Sequence, residues 1–197
     1  YNSVANGRLL REPPFEELYV QPAAGDSGGA VGAALYAYHV LLQRPRAFVM
    51  DHAYWGAGWS SRDIEEALTR RGVAFEHFDR DEDLLDEVAG ALAEGTVVGW
   101  FQGRTEWGPR ALGNRSILAD PRRPEMKHIV NEKIKFREPF RPFAPSIQIA
   151  DVSTYVELEE SERHYPAQFM LYVAPVRPDQ RSIIPAVTHA DGASVAI

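Results

Sequence analysis

Asp81-Glu-Asp-Leu-Leu-Asp-Glu-Val-Ala-Gly-Ala-Leu-Ala-Glu-Gly95-Thr-Val-Val-Gly-Trp-Phe-Gln102 is the stretch on which the fold class turns. Leu84, Leu85, Val88 and Leu92 recur at helical spacing, so Asp81–Glu94 reads as an amphipathic helix closed by Gly95. The β-branched and aromatic run Thr96–Gln102 then reads as a buried strand. The pattern repeats upstream. Ser60 or Ser61 caps a helix running to about Arg71, with Ile64, Ala67 and Leu68 on one face and Gly72 as the stop, and Val73–Phe78 is a strand candidate. Alternation of this kind predicts an α/β class with βαβ-like units. Downstream, Pro124–Lys133 reads as a helix, and Ser146–Ile149 and Phe169–Val176 as strands. The first 42 residues form a separate block: a short strand over Leu18–Pro22, a small-residue loop over Ala23–Gly29, and a helix over Ala30–Gln43, predicted to be buried because it is alanine- and leucine-rich. Residues 43–60 read as an irregular connection.

The 197 residues allow one large domain, or one domain with part of another, and 45% hydrophobic against 25% charged residues is ordinary for a folded chain. There is no cysteine, which excludes disulfides and thiolate metal sites and agrees with a reducing cytoplasm. No window is apolar and long enough to span a membrane. The opening Tyr1-Asn2-Ser3-Val4-Ala5-Asn6-Gly7 lacks an initiator methionine and reads as the middle of a longer protein. The net charge of −7 argues against general nucleic-acid binding. Its distribution is uneven: residues 104–141 carry ten Lys and Arg against five acids, a balance of +5 that leaves −12 for the rest. A local positive field within an acidic chain suits a small anionic ligand, although a solvated basic face balanced by acids elsewhere fits the charge equally well.

Two stretches concentrate the chemistry. Gly103-Arg-Thr-Glu-Trp-Gly-Pro-Arg-Ala-Leu-Gly-Asn-Arg-Ser-Ile-Leu118 follows the predicted strand, where α/β proteins place ligands. Its glycines permit tight turns, and Arg104, Arg110 and Arg115 offer forked donors that match phosphate oxygens. The bland alternative is a surface turn tied by Arg–Glu pairs. Lys135-Phe-Arg-Glu-Pro-Phe-Arg-Pro-Phe-Ala-Pro-Ser146 holds three prolines and three phenylalanines between its cations, which reads as a stiff aromatic frame presenting Lys135, Arg137 and Arg141. Here too a packed extended segment pairing with Glu138 is an alternative.

Together these two stretches resemble the O-carbamoyltransferases of natural-product and nodulation-factor biosynthesis. Val49-Met-Asp-His-Ala-Tyr-Trp-Gly56, Ile184-Pro-Ala-Val-Thr-His-Ala-Asp-Gly192 and Asn2-Ser-Val-Ala-Asn-Gly7 add to the likeness, which covers nearly the whole chain. The resemblance implies two modules. Residues 1–45 would be a strand-loop-helix remnant closing an ASKHA-type nucleotide- and metal-binding domain, and 46–197 a YrdC-like domain with a twisted mixed sheet and helices. It implies that carbamoyl phosphate and ATP form carbamoyl-adenylate, with the carbamoyl group passing to a hydroxyl of a small-molecule acceptor through the rest of the ASKHA-type region. Arg110, Lys135 and Arg141 fall on the positions expected to act on carbamoyl phosphate or ATP phosphates, with Arg104, Arg115, Ser116, Arg137 and Ser146 beside them. Gly28 and Gly29 would let nucleotide approach. Asp26 matches an aspartate ligand of a divalent metal, iron or magnesium, while its reading from the residues alone is a helix cap. Where the family continues Thr-x-Arg-x-Gln after Gly192, this chain has Ala193-Ser194-Val195-Ala196-Ile197. Two other readings stand beside the enzyme: a nucleotide- or RNA-binding module related to tRNA threonylcarbamoyl-AMP synthase, and a remnant that keeps the fold without turnover. The acidic balance outside the basic window speaks against RNA.

Overall fold

The computed structural model describes residues 2–12 and 17–195. Tyr1, Ala196 and Ile197, invoked above at the two chain ends, lie outside the described residues. The chain forms two compact units, one made of residues up to Ala53 with Trp107–Arg110 and everything from Pro121 onward, the other of Tyr54–Glu106 with Ala111–Asp120.

In the first unit, helix α1 (Ser3–Arg11) is capped by Asn2, whose side chain accepts from the Ala5 N–H at 3.0 Å. α1 docks on the core through Asn6 Nδ2, which donates to Leu171 O at 2.8 Å, and Arg11, which donates to Val173 O at 2.7 Å. The core gathers Val152, Val156, Leu158, Ala167, Tyr172, Ala174, Val176, Ile184 and Val187, with Leu10, Phe143, Ile147 and Tyr155 against it. It is built from the short helix α6 (Val152–Tyr155), a turn of 3₁₀ helix over Tyr165–Phe169, and the antiparallel pair β3 (Val173–Pro175) and β4 (Ala193–Val195). Helix α5 (Met126–Ile129) runs on into a π-helical segment, Val130–Ile134, closed by the Lys135 N–H reaching back five residues to Val130 O at 2.9 Å.

In the second unit, α3 (Ser61–Arg70) begins with a full capping box. Ser60 Oγ accepts from the Asp63 N–H, and the Asp63 carboxylate accepts from the Ser60 N–H. The carboxyl of Asp63 is held below its ordinary value by the Ser60 hydroxyl and then the Ser60 N–H. Helix α4 (Asp81–Ala93) follows, then β1 (Val98–Phe101), which pairs antiparallel with β2 (Arg115–Leu118), Val98 facing Leu118 and Phe101 facing Arg115.

Several expectations are corrected. The class is mixed α and β, but among the described residues both sheets are two-stranded and antiparallel, and no βαβ unit forms. Leu18–Pro22, Val73–Phe78 and Ser146–Ile149 are not strands. A β-rich run becomes a strand only when a second edge supplies hydrogen bonds, and these runs meet none. Phe169–Val176 shrinks to β3, because Met170 turns into the left-handed region at φ 55°. The helix expected over 30–43 forms earlier, as α2 (Asp26–Tyr36) with a π-helical turn over Ala37–Leu41, and buries no residue. His39, which lies within the stretch read as a buried helix, instead presents Nδ1 to Arg44 O at 2.9 Å at the surface. Among the described residues no helix is long and apolar enough to cross a membrane.

Candidate anion-binding site

The Gly103–Ser146 stretch is divided between the two units. In the second unit, the loop after β1 closes on a carboxylate from its own sequence. Glu106 Oε1 accepts three backbone N–H bonds, from Leu112 at 2.8 Å, Asn114 at 2.8 Å and Arg115 at 3.1 Å. Burial pushes the carboxyl up, but these backbone donors outweigh it and hold its pKa below the ordinary value. The Tyr54 hydroxyl donates to Leu112 O at 2.7 Å, and its pKa is raised by burial and by the Glu106 charge. An outward-facing nest of N–H groups would bind an external anion; here the protein supplies the anion itself.

The arginines of this loop also turn inward. Arg104 donates from Nε to Gly56 O at 2.9 Å and from a terminal nitrogen to Trp55 O at 3.1 Å. Arg115 lies over the Phe101 ring at 3.5 Å and the Trp59 ring at 5.4 Å, and donates to the carbonyls of Gln102, Gly103 and Asn114. Ser116 Oγ accepts from the Gly113 N–H at 3.2 Å. Thus Arg115 and Ser116, read as ligand contacts, bind the loop to itself, and Arg104 ties it to Trp55 and Gly56.

The first unit holds Arg110, Lys135, Arg137, Arg141 and Ser146. The arm carrying most of these is anchored by Asn131, which is 0% exposed. Asn131 Nδ2 donates to Pro139 O at 3.2 Å and Arg141 O at 3.0 Å, and its Oδ1 accepts from Arg137 Nε at 2.6 Å. Arg137 also donates to Pro142 O at 3.3 Å and lies over Phe143 at 4.8 Å. Burial, then the neighbouring Arg141 charge, lowers its pKa against the opposing effect of Glu138. Arg141 pairs with Glu138 at 3.6 Å at the surface, a contact worth at most about 1 kcal/mol. The Lys135 ammonium has no partner among the described residues, and Ser146 is exposed. The aromatic frame is corrected. Phe136 and Phe140 are 85% and 77% exposed, and only Phe143 packs inward, so a buried amide organises the arm. Asn131→Ala should therefore destabilise the protein by about 2–4 kcal/mol in urea denaturation, since the Pro139 and Arg141 carbonyls and Arg137 Nε lose the fully buried amide that joins them.

Arg110 differs from the other arginines. Its Nε is buried and has no hydrogen-bond partner. The turn that carries it, Trp107–Arg110, meets the chain at Ala23, in the turn that leads into α2. A Cβ on Gly108 would lie 2.6 Å from the Ala23 Cβ, and one on Gly28 would lie 2.4 Å from Ala23 O. Only glycine fits at both places. Two stretches far apart in sequence, singled out for phosphate and nucleotide respectively, therefore share one contact. Asp26 occupies the first turn of α2 behind Gly25, and Gly28 N–H donates to Gly25 O at 2.9 Å. Among the described residues no three His, Asp or Glu side chains gather as a metal site. Asp26 alone does not constitute one, and no step is assigned to a metal here.

Sequence reasoning passed over Glu106 and Asn131. Asn131 did carry a signal: it is a poor helix former set between Val130 and Ile134 in a predicted helix, which points to a buried amide with specific partners.

Residues 89–196 match the family described as "Carbamoyltransferase C-terminus", and residues 1–35 match "Carbamoyltransferase N-terminus". The nodulation protein NolNO of Sinorhizobium fredii is 45% identical over 98% of this chain and 28% of its own length. Nodulation protein NolO of Bradyrhizobium diazoefficiens is 42% identical over 98% of this chain and 35% of its own. The 3'-hydroxymethylcephem-O-carbamoyltransferase of Amycolatopsis lactamdurans is 37% identical over 91% of this chain and 31% of its own. The chain thus spans about a third of the length of these relatives. On the matched families and these identities, the chain belongs to the carbamoyltransferase family.

Proposed function

We propose that this chain carries the carbamoyl-activating part of an O-carbamoyltransferase, in which carbamoyl phosphate and ATP give carbamoyl-adenylate and the carbamoyl group then passes to a hydroxyl of a small-molecule acceptor with release of AMP. Atom balance requires one water to be consumed, with inorganic phosphate released from carbamoyl phosphate and pyrophosphate from ATP. Both departing groups are anions, so fixed cations lower the barrier by stabilising charge as it develops. Arg110, Lys135 and Arg141 fill that role, with Arg137 and Ser146 beside them. The observation that supports the reading is the buried Arg110 Nε, a donor with no hydrogen-bond partner among the described residues. Residues 1–45 complete an ASKHA-type domain and 46–197 form the YrdC-like one. Gly28 and Gly29 give nucleotide close access, and Asp26 contributes one carboxylate to an iron or magnesium ion whose other ligands come from elsewhere. The reaction belongs in the cytoplasm, where ATP and carbamoyl phosphate occur.

The test is incubation of the protein with ATP and carbamoyl phosphate, with mass spectrometry of the products. Carbamoyl-AMP and pyrophosphate are expected in equal amounts, each requiring both substrates. Release of ADP without carbamoyl-AMP would refute adenylation.

A further inference from the structure

Two buried side-chain nitrogens among the described residues lack any hydrogen-bond partner. One is Arg110 Nε, used above; the other is His189 Nε2. Both lie in the first unit. A buried orphan of this kind keeps the desolvation cost of burial without the hydrogen bond that offsets it, so its persistence calls for a ligand or a structural cause.

The His189 ring is carried on a backbone tied at several points. Ala186 N–H donates to Pro121 O at 3.1 Å, His189 N–H to Ala193 O at 2.8 Å, and Gly192 N–H to His189 O at 2.9 Å. Asp191 Oδ1 accepts from the Ala193 N–H at 3.0 Å and Thr188 Oγ1 donates to Ile184 O at 2.9 Å, while β4 holds the far side against β3. The backbone that carries the ring is fixed by these bonds, and Nε2 itself is buried.

The surroundings select what fills it. Burial, mainly, and the Lys127 charge lower the pKa of His189 against the opposing pull of Asp191, which keeps the imidazole neutral near pH 7. A neutral imidazole can offer one ring N–H and one lone pair. Lys127 lies on the helical run that continues four residues later to Asn131, the anchor of Arg137 and Arg141. A ligand here meets Lys127 as a cation and, in the tautomer protonated on Nε2, His189 as a neutral donor. An unsatisfied donor beside a cation is met by an acceptor-rich anion, whereas an adenine amino group would bring one more donor.

We propose that His189 is a substrate-binding residue for carbamoyl phosphate, donating Nε2–H to one of its phosphoryl oxygens. This rests on the reading of the chain as a carbamoyl phosphate enzyme. The test is calorimetric titration of the protein with carbamoyl phosphate, inorganic phosphate and ATP, for wild type, His189→Ala, His189→Gln and Arg110→Ala. His189→Ala should weaken carbamoyl phosphate and inorganic phosphate about tenfold, the loss of one hydrogen bond to a charged group, with ATP changed less than about twofold. His189→Gln should recover most of the loss, because its amide still donates. The Nε2–H resonance of His189 should move on saturation with inorganic phosphate in the wild type, a readout that needs no variant to fold. If Arg110→Ala loses carbamoyl phosphate while His189→Ala keeps wild-type affinity, or if the resonance stays in place, the His189 assignment is overturned and the function stands. If the wild type binds neither carbamoyl phosphate nor ATP, both are overturned.

Discussion

Arg110→Ala should lower carbamoyl-AMP formation by roughly a hundred- to a thousandfold, the usual effect of losing one preorganised donor to developing charge. Its stability should move the other way. The wild-type protein holds Nε buried without an acceptor, so removing the group relieves a desolvation penalty. Urea denaturation of the alanine variant should show equal or higher stability, by up to about 1 kcal/mol. That pair of signs separates a ligand-directed arginine from a structural one, for which activity and stability would fall together. Arg110→Lys should recover little turnover, because an ammonium keeps the charge and places no donor where Nε sits. A variant that loses stability and keeps turnover would move Arg110 out of the site.

Glu106→Ala should produce the largest loss of stability in the second unit, about 2–4 kcal/mol, because three backbone N–H groups lose one shared charged acceptor. Glu106→Gln retains an amide oxygen that can accept and should cost about half as much. The pH dependence has a defined sign. The folded-state pKa of Glu106 lies below its unfolded value, so its contribution is fully present above the unfolded value and is lost as pH falls through the folded one. The stability difference between wild type and Glu106→Gln, measured by urea denaturation at neutral pH and again near pH 3, should shrink in acid. A difference that stays constant would show that the carboxylate charge is not what closes the loop.

The parts of this fold that were legible were those governed by neighbours in sequence. Ser60 and Asp63 announce α3, and the spacing of Leu84, Leu85, Val88 and Leu92 announces α4, because caps and helical faces are settled within a few residues. Strand pairing is not settled that way. Nothing within Val73–Phe78 states that no edge awaits it, and nothing within Val98–Phe101 names Arg115–Leu118 as its partner. Burial was misread for the same reason: the apolar composition of Asp26–Tyr36 says that the helix can be covered, not that this chain covers it. In the candidate site the cations were legible and their roles were not. Arg104, Arg110 and Arg115 look alike in sequence, and only the positions of nearby carbonyls and rings distinguish two that hold a loop from one whose Nε has no partner. Asn131 was overlooked because a single buried amide has no periodicity.

The π-helical segment Val130–Ile134 makes this region sensitive to length rather than to composition. Each residue of a helix turns the chain by about 100°, and the five-residue closure from Lys135 to Val130 accommodates one residue beyond the α-helical count. Deleting Glu132, Lys133 or Ile134 would let the helix relax to ordinary geometry while swinging 135–141 about a quarter-turn away from Asn131. Substitutions along the exposed side of the segment leave that phase intact; a lost codon does not.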